Sequence, residues 1–295
     1  MIILTNRNAG GGQARAFAHE LVSGDTPFSN ALLLDPVSID QARYELDQAL
    51  TGERQQLVVI GGDGTLNLAV NTVLNKGLGD KITFSLLPAG TGSDFARTLT
   101  HYPTVAVLQR APLDTQSRSV DVLRIDWPDG QYRYAINTVS AGIAGDVSAA
   151  MAASSGKGSG AYLYATLRAL LRYRPRGFSL TVDKKHCYHG DLSMLAITNG
   201  AYFGQGMKVA PKAKVNDGQA EVVAAFGMSK GHLLLRLIRI YLGNHLDAPY
   251  VYYQRGSEVS VHQDSPTSAL DIDGESALGA DITIRVIAGA LRFSC

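Results

Sequence analysis

Short, wholly apolar runs, each handed to a glycine- or proline-rich loop and then to a helix-like pattern, set the rhythm of residues 1–118. Ile2–Leu4, Ala31–Leu34, Gln56–Ile60 and Phe84–Leu87 are short and nearly continuous, which predicts buried strands. Between them, Ala14–Val22, Ile39–Leu50 and Leu66–Leu74 carry the helical pattern, with Ser38 placed to cap the second, and Phe95–Leu99 starts a shorter helix. Strands that alternate with helices predict a parallel sheet with crossover helices. From Ser119 the spacing of apolar positions changes to two. Val120–Trp127 and Tyr132–Val139 flank Pro128-Asp129-Gly130 as a hairpin, and Phe178–Val182, Leu192–Ile197, Glu221–Ala225, Glu258–His262, Ala269–Ile272 and Ile282–Ala288 also read as strands. Two helical stretches, Ala161–Tyr173 and Gly231–Leu242, interrupt them. The predicted architecture is α/β plus β: an α/β domain over 1–118 and a β-rich sandwich domain over 119–295, whose last strand can return to the first domain.

Composition narrows the classes. The chain is 45% hydrophobic and 18% charged with a net charge of +1, so no overall basic field points to nucleic acid. Cys187 and Cys295 are the only two cysteines and stand far apart, which suits a reducing cytoplasm better than a disulfide framework. The opening MIILTNRNAGGG turns polar too early for a secretory signal, and no apolar run reaches membrane-spanning length.

Three glycine-rich loops follow predicted strands: Asn6 to Gly12, Gly61 to Thr65, and Pro88 to Asp94. In open α/β sheets ligands bind at these carboxyl ends. Glycine lets backbone N–H groups approach an anion, and the next helix adds its positive N-terminus. One such loop is ordinarily a turn; three on one sheet edge point to a phosphate-rich ligand. Neither G-x-x-x-x-G-K-[ST] nor a strict G-x-G-x-x-G after the first strand occurs; Gly156-Lys157-Gly158-Ser159 lacks the upstream glycine.

Phosphoryl transfer needs charge neutralisation, in-line placement and a group that takes the hydroxyl proton, while Mg²⁺ takes hard oxygen ligands. The acids in glycine-rich settings are Asp63, Asp94, Asp217, Asp273 and Glu275. Each has a structural alternative: Asp63 and Asp94 as helix caps, Asp217-Gly218 and Asp273-Gly274 as turns. Carboxylates two apart across a glycine can also converge on one point.

Gly61-Gly62-Asp63-Gly64-Thr65, followed by Leu87-Pro88-Ala89-Gly90-Thr91-Gly92-Ser93-Asp94-Phe95-Ala96-Arg97, resembles the catalytic domain of the diacylglycerol kinase/sphingosine kinase superfamily. GGDGT alone is shared with NAD kinases and phosphofructokinases; the pair is more specific. Asn199-Gly200, Gly204-x-Gly206, Pro211-x-Ala213 and Asp217-Gly218 resemble the family's second-domain block, and Asp271-Ile272-Asp273-Gly274-Glu275 its late D-G-E motif. The resemblance spans nearly the whole chain and is closest to the compact bacterial lipid kinases. It implies a Rossmann-like, phosphofructokinase-like nucleotide domain followed by a β-sandwich lipid-substrate domain. It implies ATP and Mg²⁺ as cofactors, with ATP held by Asn6, Gly10, Gly61, Gly62, Asp63, Gly64, Thr65, Leu66, Asn67, Gly90, Thr91 and Asp94. It makes Glu275 the general base with Asp273 supporting it, places Asp63 next to the phosphates and metal, and gives Asp217, with the carbonyls of Lys214 and Gln219, to a structural Mg²⁺. Two positions depart from the family pattern: Ser93 stands where Asn is usual, and Asn6-Arg7-Asn8-Ala9-Gly10 replaces a Pro- and Ser-bearing loop, so that Arg7 faces either a phosphate or solvent.

A lipid acceptor implies passing contact with a membrane surface. The two helical stretches carry Leu163, Leu167, Leu170 and Leu171 beside Arg168, Arg172 and Arg174, and Leu233, Leu234, Leu237 and Ile238 beside Arg236 and Arg239; such faces either cover a sheet or lie on anionic lipid. Gly142-Ile143-Ala144-Gly145-Asp146 resembles the stretch where sphingosine kinases set an acid against the lipid head group, which makes Asp146 a substrate candidate. His186-Cys187-Tyr188-His189 is too small a set for a zinc site. The expectation is a cytoplasmic, ATP- and Mg²⁺-dependent lipid kinase acting on a diacylglycerol-like hydroxyl. The alternatives are an NAD kinase and a catalytically silent nucleotide- or lipid-binding module.

Overall fold

The structure, a computed structural model, describes residues 1–90, 92–99, 117–152, 168, 176–226, 236, 238–264 and 269–294, with the side chains of 151 and 152 excepted. They fall into two units, Met1–Asp121 with Gly289–Cys295, and Val122–Ala288. The chain passes from one to the other inside two strands, β5 (Ser117–Asp126) and β15 (Asp281–Ser294).

The first unit alternates β1 (Ile2–Thr5), α1 (Gln13–Ser23), β2 (Leu32–Leu34), α2 (Ile39–Ala49), β3 (Gln55–Gly61), α3 (Asp63–Asn75), β4 (Ile82–Pro88) and the short α4 (Asp94–Thr98). Its strands are parallel in the order β2-β1-β3-β4, and the end of β15 adds a fifth parallel strand beside β4. β1 and β3 are apolar runs because they are covered from both sides. Ile3, Val58, Ile60 and Leu87 pack under Ala14, Ala18 and Leu21 of α1. Elsewhere in the unit Phe84 stacks on Phe293 at 5.3 Å, and Phe95 tilts against Phe293 at 5.8 Å. Ser38 caps α2 through the Gln41 N–H. Each of β1 to β4 therefore delivers its carboxyl end to a loop, and the glycine loops follow β1, β3 and β4.

The second unit is antiparallel. Its elements are β6 (Tyr132–Ala135), β7 (Thr138–Gly142), α5 (Ile143–Ala152), β8 (Arg176–Val182), β9 (Lys185–Thr198), β10 (Ala220–Phe226), β11 (Val251–Gly256), β12 (Glu258–Gln263), β13 (Ala269–Ile272) and β14 (Glu275–Leu278). One path of neighbours runs β14-β13-β7-β9-β8-β12-β15, while β10 bridges β9 and β11, and β5 pairs with β6. Two apolar clusters fill the unit, one around Leu123, Phe178, Leu195, Val222 and Ile272, the other around Ile143, Met194, Phe203, Val223 and Leu246. The predicted second strand of the hairpin, Tyr132–Val139, is split in two between Ala135 and Thr138, and that break holds the loop described below. The predicted helix Ala161–Tyr173 lies outside the described residues except Arg168; of Gly231–Leu242, only Arg236 and 238–242 are described, as helix.

Candidate active site

In the first unit the three glycine loops touch one another. The Asn6 N–H donates to Ile60 O at 3.0 Å, and the Asn6 side chain donates to Thr65 Oγ1 at 3.4 Å, which ties the first loop to the second. The Ala89 N–H donates to Gly61 O at 2.9 Å, which ties the second to the third. A Cβ on Gly10 would lie 2.9 Å from Ala89 O, and one on Gly90 would lie 2.5 Å from Gly62 Cα. These glycines serve loop-on-loop packing first, a purpose the sequence pattern did not suggest. Gly11 and Gly64 differ: nothing lies within 4 Å of where their Cβ would stand. Gly64 is the second residue of α3, where an open glycine is a weak helix former with no packing reason. Among the described residues no side chain accepts from the first N–H groups of α1, which follows Gly12, or of α3, which follows Gly62. Two uncapped helix starts beside open glycines fit an anion with several phosphate groups.

Asp63 lies inside the first turn of α3 and caps a different helix from the one that follows it in sequence. Its carboxylate accepts the N–H groups of Asp94 at 2.9 Å and Phe95 at 3.1 Å, the start of α4. Asp94 is buried, 3.7 Å from Arg97. Leu66 and Asn67 are buried in α3, and Asn67 accepts from Asn71 at 3.1 Å. Thr91 lies outside the described residues. Ser93 has a left-handed backbone (φ 48) and donates its hydroxyl to Gly90 O at 3.2 Å. Asn adopts that conformation more readily than Ser, which gives a backbone reason for the asparagine of the family pattern. Arg7 faces neither open solvent alone nor the glycine cradle: it donates to Asp35 at 3.0 Å, together with Arg15 at 2.8 Å. Burial raises the Asp35 carboxyl, but the hydrogen bonds and charges of Arg15 and Arg7 outweigh it and hold the group below its usual range.

In the second unit the D-x-D-x-E stretch forms the tip of the β13–β14 hairpin. Asp273 and Gly274 both have positive φ, 50 and 88, as a two-residue hairpin turn requires. The Asp273 carboxylate is buried and accepts three backbone N–H groups, from Ile136 at 2.7 Å, Asn137 at 3.0 Å and Thr138 at 2.8 Å. Asn199 holds the same loop by donating to Ile136 O at 2.9 Å. Asp273 is thus a clamp on the β6–β7 break. Glu275 is half-buried and forms an ion pair with Arg133. Asp271 was not singled out from the sequence. It lies on β13 within 3.4 Å of the Ser140 hydroxyl, and burial, reinforced by the Asp273 charge, pushes it up to about 6. The signal available was the alternation itself: Asp271, Asp273 and Glu275 stand at every second position.

Asp217 accepts the Gln219 N–H at 3.1 Å and forms an ion pair with Arg255. Both its oxygens are engaged, and among the described residues no group of three or more His, Cys, Asp or Glu side chains could hold an ion. A cation held by Asp217 with the carbonyls of Lys214 and Gln219 would compete with the Arg255 guanidinium for the carboxylate. Asp146, on α5, takes both its hydrogen bonds from Arg176, at 2.9 and 3.1 Å.

Comparison with known proteins gives each half of the chain a family match. Residues 1–125 match the diacylglycerol kinase catalytic domain, and residues 137–295 match the YegS C-terminal NAD kinase beta sandwich-like domain. The chain belongs to the YegS-like diacylglycerol kinase family. It is 27% identical over 260 residues to "Probable lipid kinase YegS-like" of Shewanella frigidimarina, covering 87% of this chain and 81% of that one. A solved Bacillus anthracis str. Sterne protein, "A putative diacylglycerol kinase", superposes with a TM-score of 0.75 at 22% identity over 99% of this chain and 96% of its own. At that identity the likeness shows the fold: an α/β domain followed by a β-sandwich, the class expected. Among the described residues of this family member, no helix is long and apolar enough to cross a membrane.

Proposed function

We propose that the chain is a lipid kinase that transfers the γ-phosphate of ATP, with Mg²⁺, to a hydroxyl of a diacylglycerol-like lipid. The observation that carries this reading is the glycine cradle, with open ground at Gly11 and Gly64 beside two helix N-termini that no described side chain caps. Fixed backbone N–H groups aimed at phosphate oxygens are what phosphoryl transfer asks of a protein. In this proposal Asn6, Gly10, Gly61, Gly62, Gly64, Thr65 and Gly90 shape the cradle, with Thr91 and Ser93 on its third loop, and Asp63 holds that loop by capping α4. Glu275 takes the hydroxyl proton, its carboxylate oriented by Arg133, while Asp273 fixes the hairpin that carries it. Mg²⁺ would neutralise phosphate charge; Asp217 would hold a second ion only by releasing Arg255. A lipid head group approaching Asp146 would likewise compete with Arg176. The names of the relatives and the family membership support a lipid acceptor, which implies cytoplasmic access to a membrane surface.

The test is transfer of label from γ-labelled ATP, with Mg²⁺, to neutral lipids in mixed micelles, with NAD as the acceptor in a separate reaction. Label in a lipid is the expected result. Label in NAD would replace this reading with an NAD kinase, and ATP binding without transfer to any acceptor would leave a nucleotide-binding module.

A further inference from the structure

The opposite end of the first unit's sheet, where the parallel strands begin, carries a cavity of about 430 Å³ lined by Arg54, Gln56, Asp80, Lys81, Thr83 and Arg292 among others. Registers explain why cations gather there. Gln56, Thr83 and Arg292 form one row across β3, β4 and β15. The next row, Leu57, Phe84 and Phe293, is buried on the other face, so Arg292 must point out wherever Phe293 points in. The Gln55 N–H donates to Lys81 O at 3.1 Å, which brings the residues just before β3 and β4 side by side and with them Arg54 and Lys81.

Many of the described arginines elsewhere are paired with acids. Arg7, Arg133, Arg176, Arg255 and Arg285 each meet a carboxylate. Among the described residues, the side chains of Arg54, Lys81 and Arg292 make no ion pair and no hydrogen bond. Among the described lining residues Asp80 is the one acid and pairs with none of these cations, so among them Arg54, Lys81 and Arg292 leave two positive side-chain charges in excess. Like charges gathered in one concavity repel, and a bound anion removes the cost. Two guanidiniums and an ammonium beside a threonine hydroxyl match phosphate oxygens, and the volume is that of a small-ligand site.

We propose that this cavity is a second anion site, separate from the glycine loops, that takes a phosphate-bearing ligand: either a soluble phosphate compound or the head group of an anionic phospholipid. The proposal does not depend on the kinase reading, because binding alone tests it. Inorganic pyrophosphate is titrated into the full chain while the backbone amide signals of Gln56, Lys81, Thr83 and Arg292 are followed by NMR. These signals move in the wild type. In the Arg54→Gln/Lys81→Gln/Arg292→Gln variant the same movement needs about tenfold more pyrophosphate or more, while signals of Gly62 and Gly64 respond as before. Arg292→Lys, which keeps the charge, restores most of the response. In a parallel arm the protein is sedimented with phosphatidylcholine vesicles with and without phosphatidylglycerol. Capture by the anionic vesicles only, lost in the triple variant and competed by pyrophosphate, names the lipid head group; an amide response without capture names a soluble phosphate. Amides that do not move, or that titrate identically in the triple variant, overturn the proposal.

Discussion

Asp63 and Asp273 stand in the two best-marked motifs of the chain, one in each unit, and both use their carboxylates on backbone N–H groups of a remote loop. Asp63 binds two, at the start of α4. Asp273 binds three, across the β6–β7 break, and is buried while doing so. Glu275, two residues on, is half-buried and held by a single arginine. An acid in a catalytic motif can thus be there to build the site, and the number of N–H groups it accepts, together with its burial, separates the builders from the candidate reactants.

The widest separation is between Asp273 and Glu275. Asp273→Ala leaves three buried donors without an acceptor, and the expected loss is about 3 kcal/mol or more of unfolding free energy, read by urea denaturation. Glu275→Gln is expected to change the denaturation midpoint little, to leave ATP affinity intact, and to lower turnover by roughly a hundredfold or more. Equal stability losses in both variants would erase the distinction, and normal turnover of Glu275→Gln would remove it from the role of base.

Asp271 sharpens the comparison because it is a carboxylate whose surroundings favour the protonated form. Its folded value is about 6 against 3.8 for the ordinary group, with burial the main cause. Between these values the folded chain binds more protons than the unfolded one, so this group's contribution to stability falls as pH rises through the window and is fully lost above it. Asp271→Asn is therefore expected to be more stable than the wild type by about 3 kcal/mol above the window and equal to it below. Paired denaturation curves on both sides of the window decide the matter; a pH-independent difference would contradict the assignment.

How far the sequence could carry these distinctions depended on range. β1, β3, α3 and β4 were legible because each is a local pattern, an apolar run closed by glycine or proline. α5 was not, since Gly142 and Gly145 look like loop residues. A Cβ on Gly145 would lie 2.1 Å from Ala269 O, so this glycine lets α5 press on β13, a contact formed by distant residues. β9 was read as Leu192–Ile197 because its first half, from Lys185, is polar and exposed, yet that half pairs with β8. The acids of the motifs were found by their glycine neighbours. Their partners were not, because Asp63 reaches Asp94 and Asp273 reaches Ile136 across intervals that no local pattern spans. The same limit hid the reason for Gly62 and Gly90, which face each other from two loops.

Asp63→Ala removes the side-chain cap that Asp63 gives α4, and the expected cost is about 1 kcal/mol, with weaker ATP binding as the third loop loosens. Calorimetric titration with a non-hydrolysable ATP analogue reads the second effect; unchanged affinity would mean that the loop does not meet the nucleotide.

The smallest effect tests whether that loop can be held from within. Ser93 keeps a left-handed backbone at φ 48, a conformation that asparagine adopts with less strain than serine. Ser93→Asn is expected to add a few tenths of a kcal/mol, provided its amide replaces the hydroxyl's bond to Gly90 O. Because the loop then favours its bound shape without help, Asp63→Ala should cost less in the Ser93→Asn background than in the wild type. A double-mutant cycle measures that coupling. Strict additivity would mean that the Asp63 cap and the backbone of residue 93 stabilise α4 independently, and that Asp63, unlike Asp273, fixes one helix start and nothing of the loop before it.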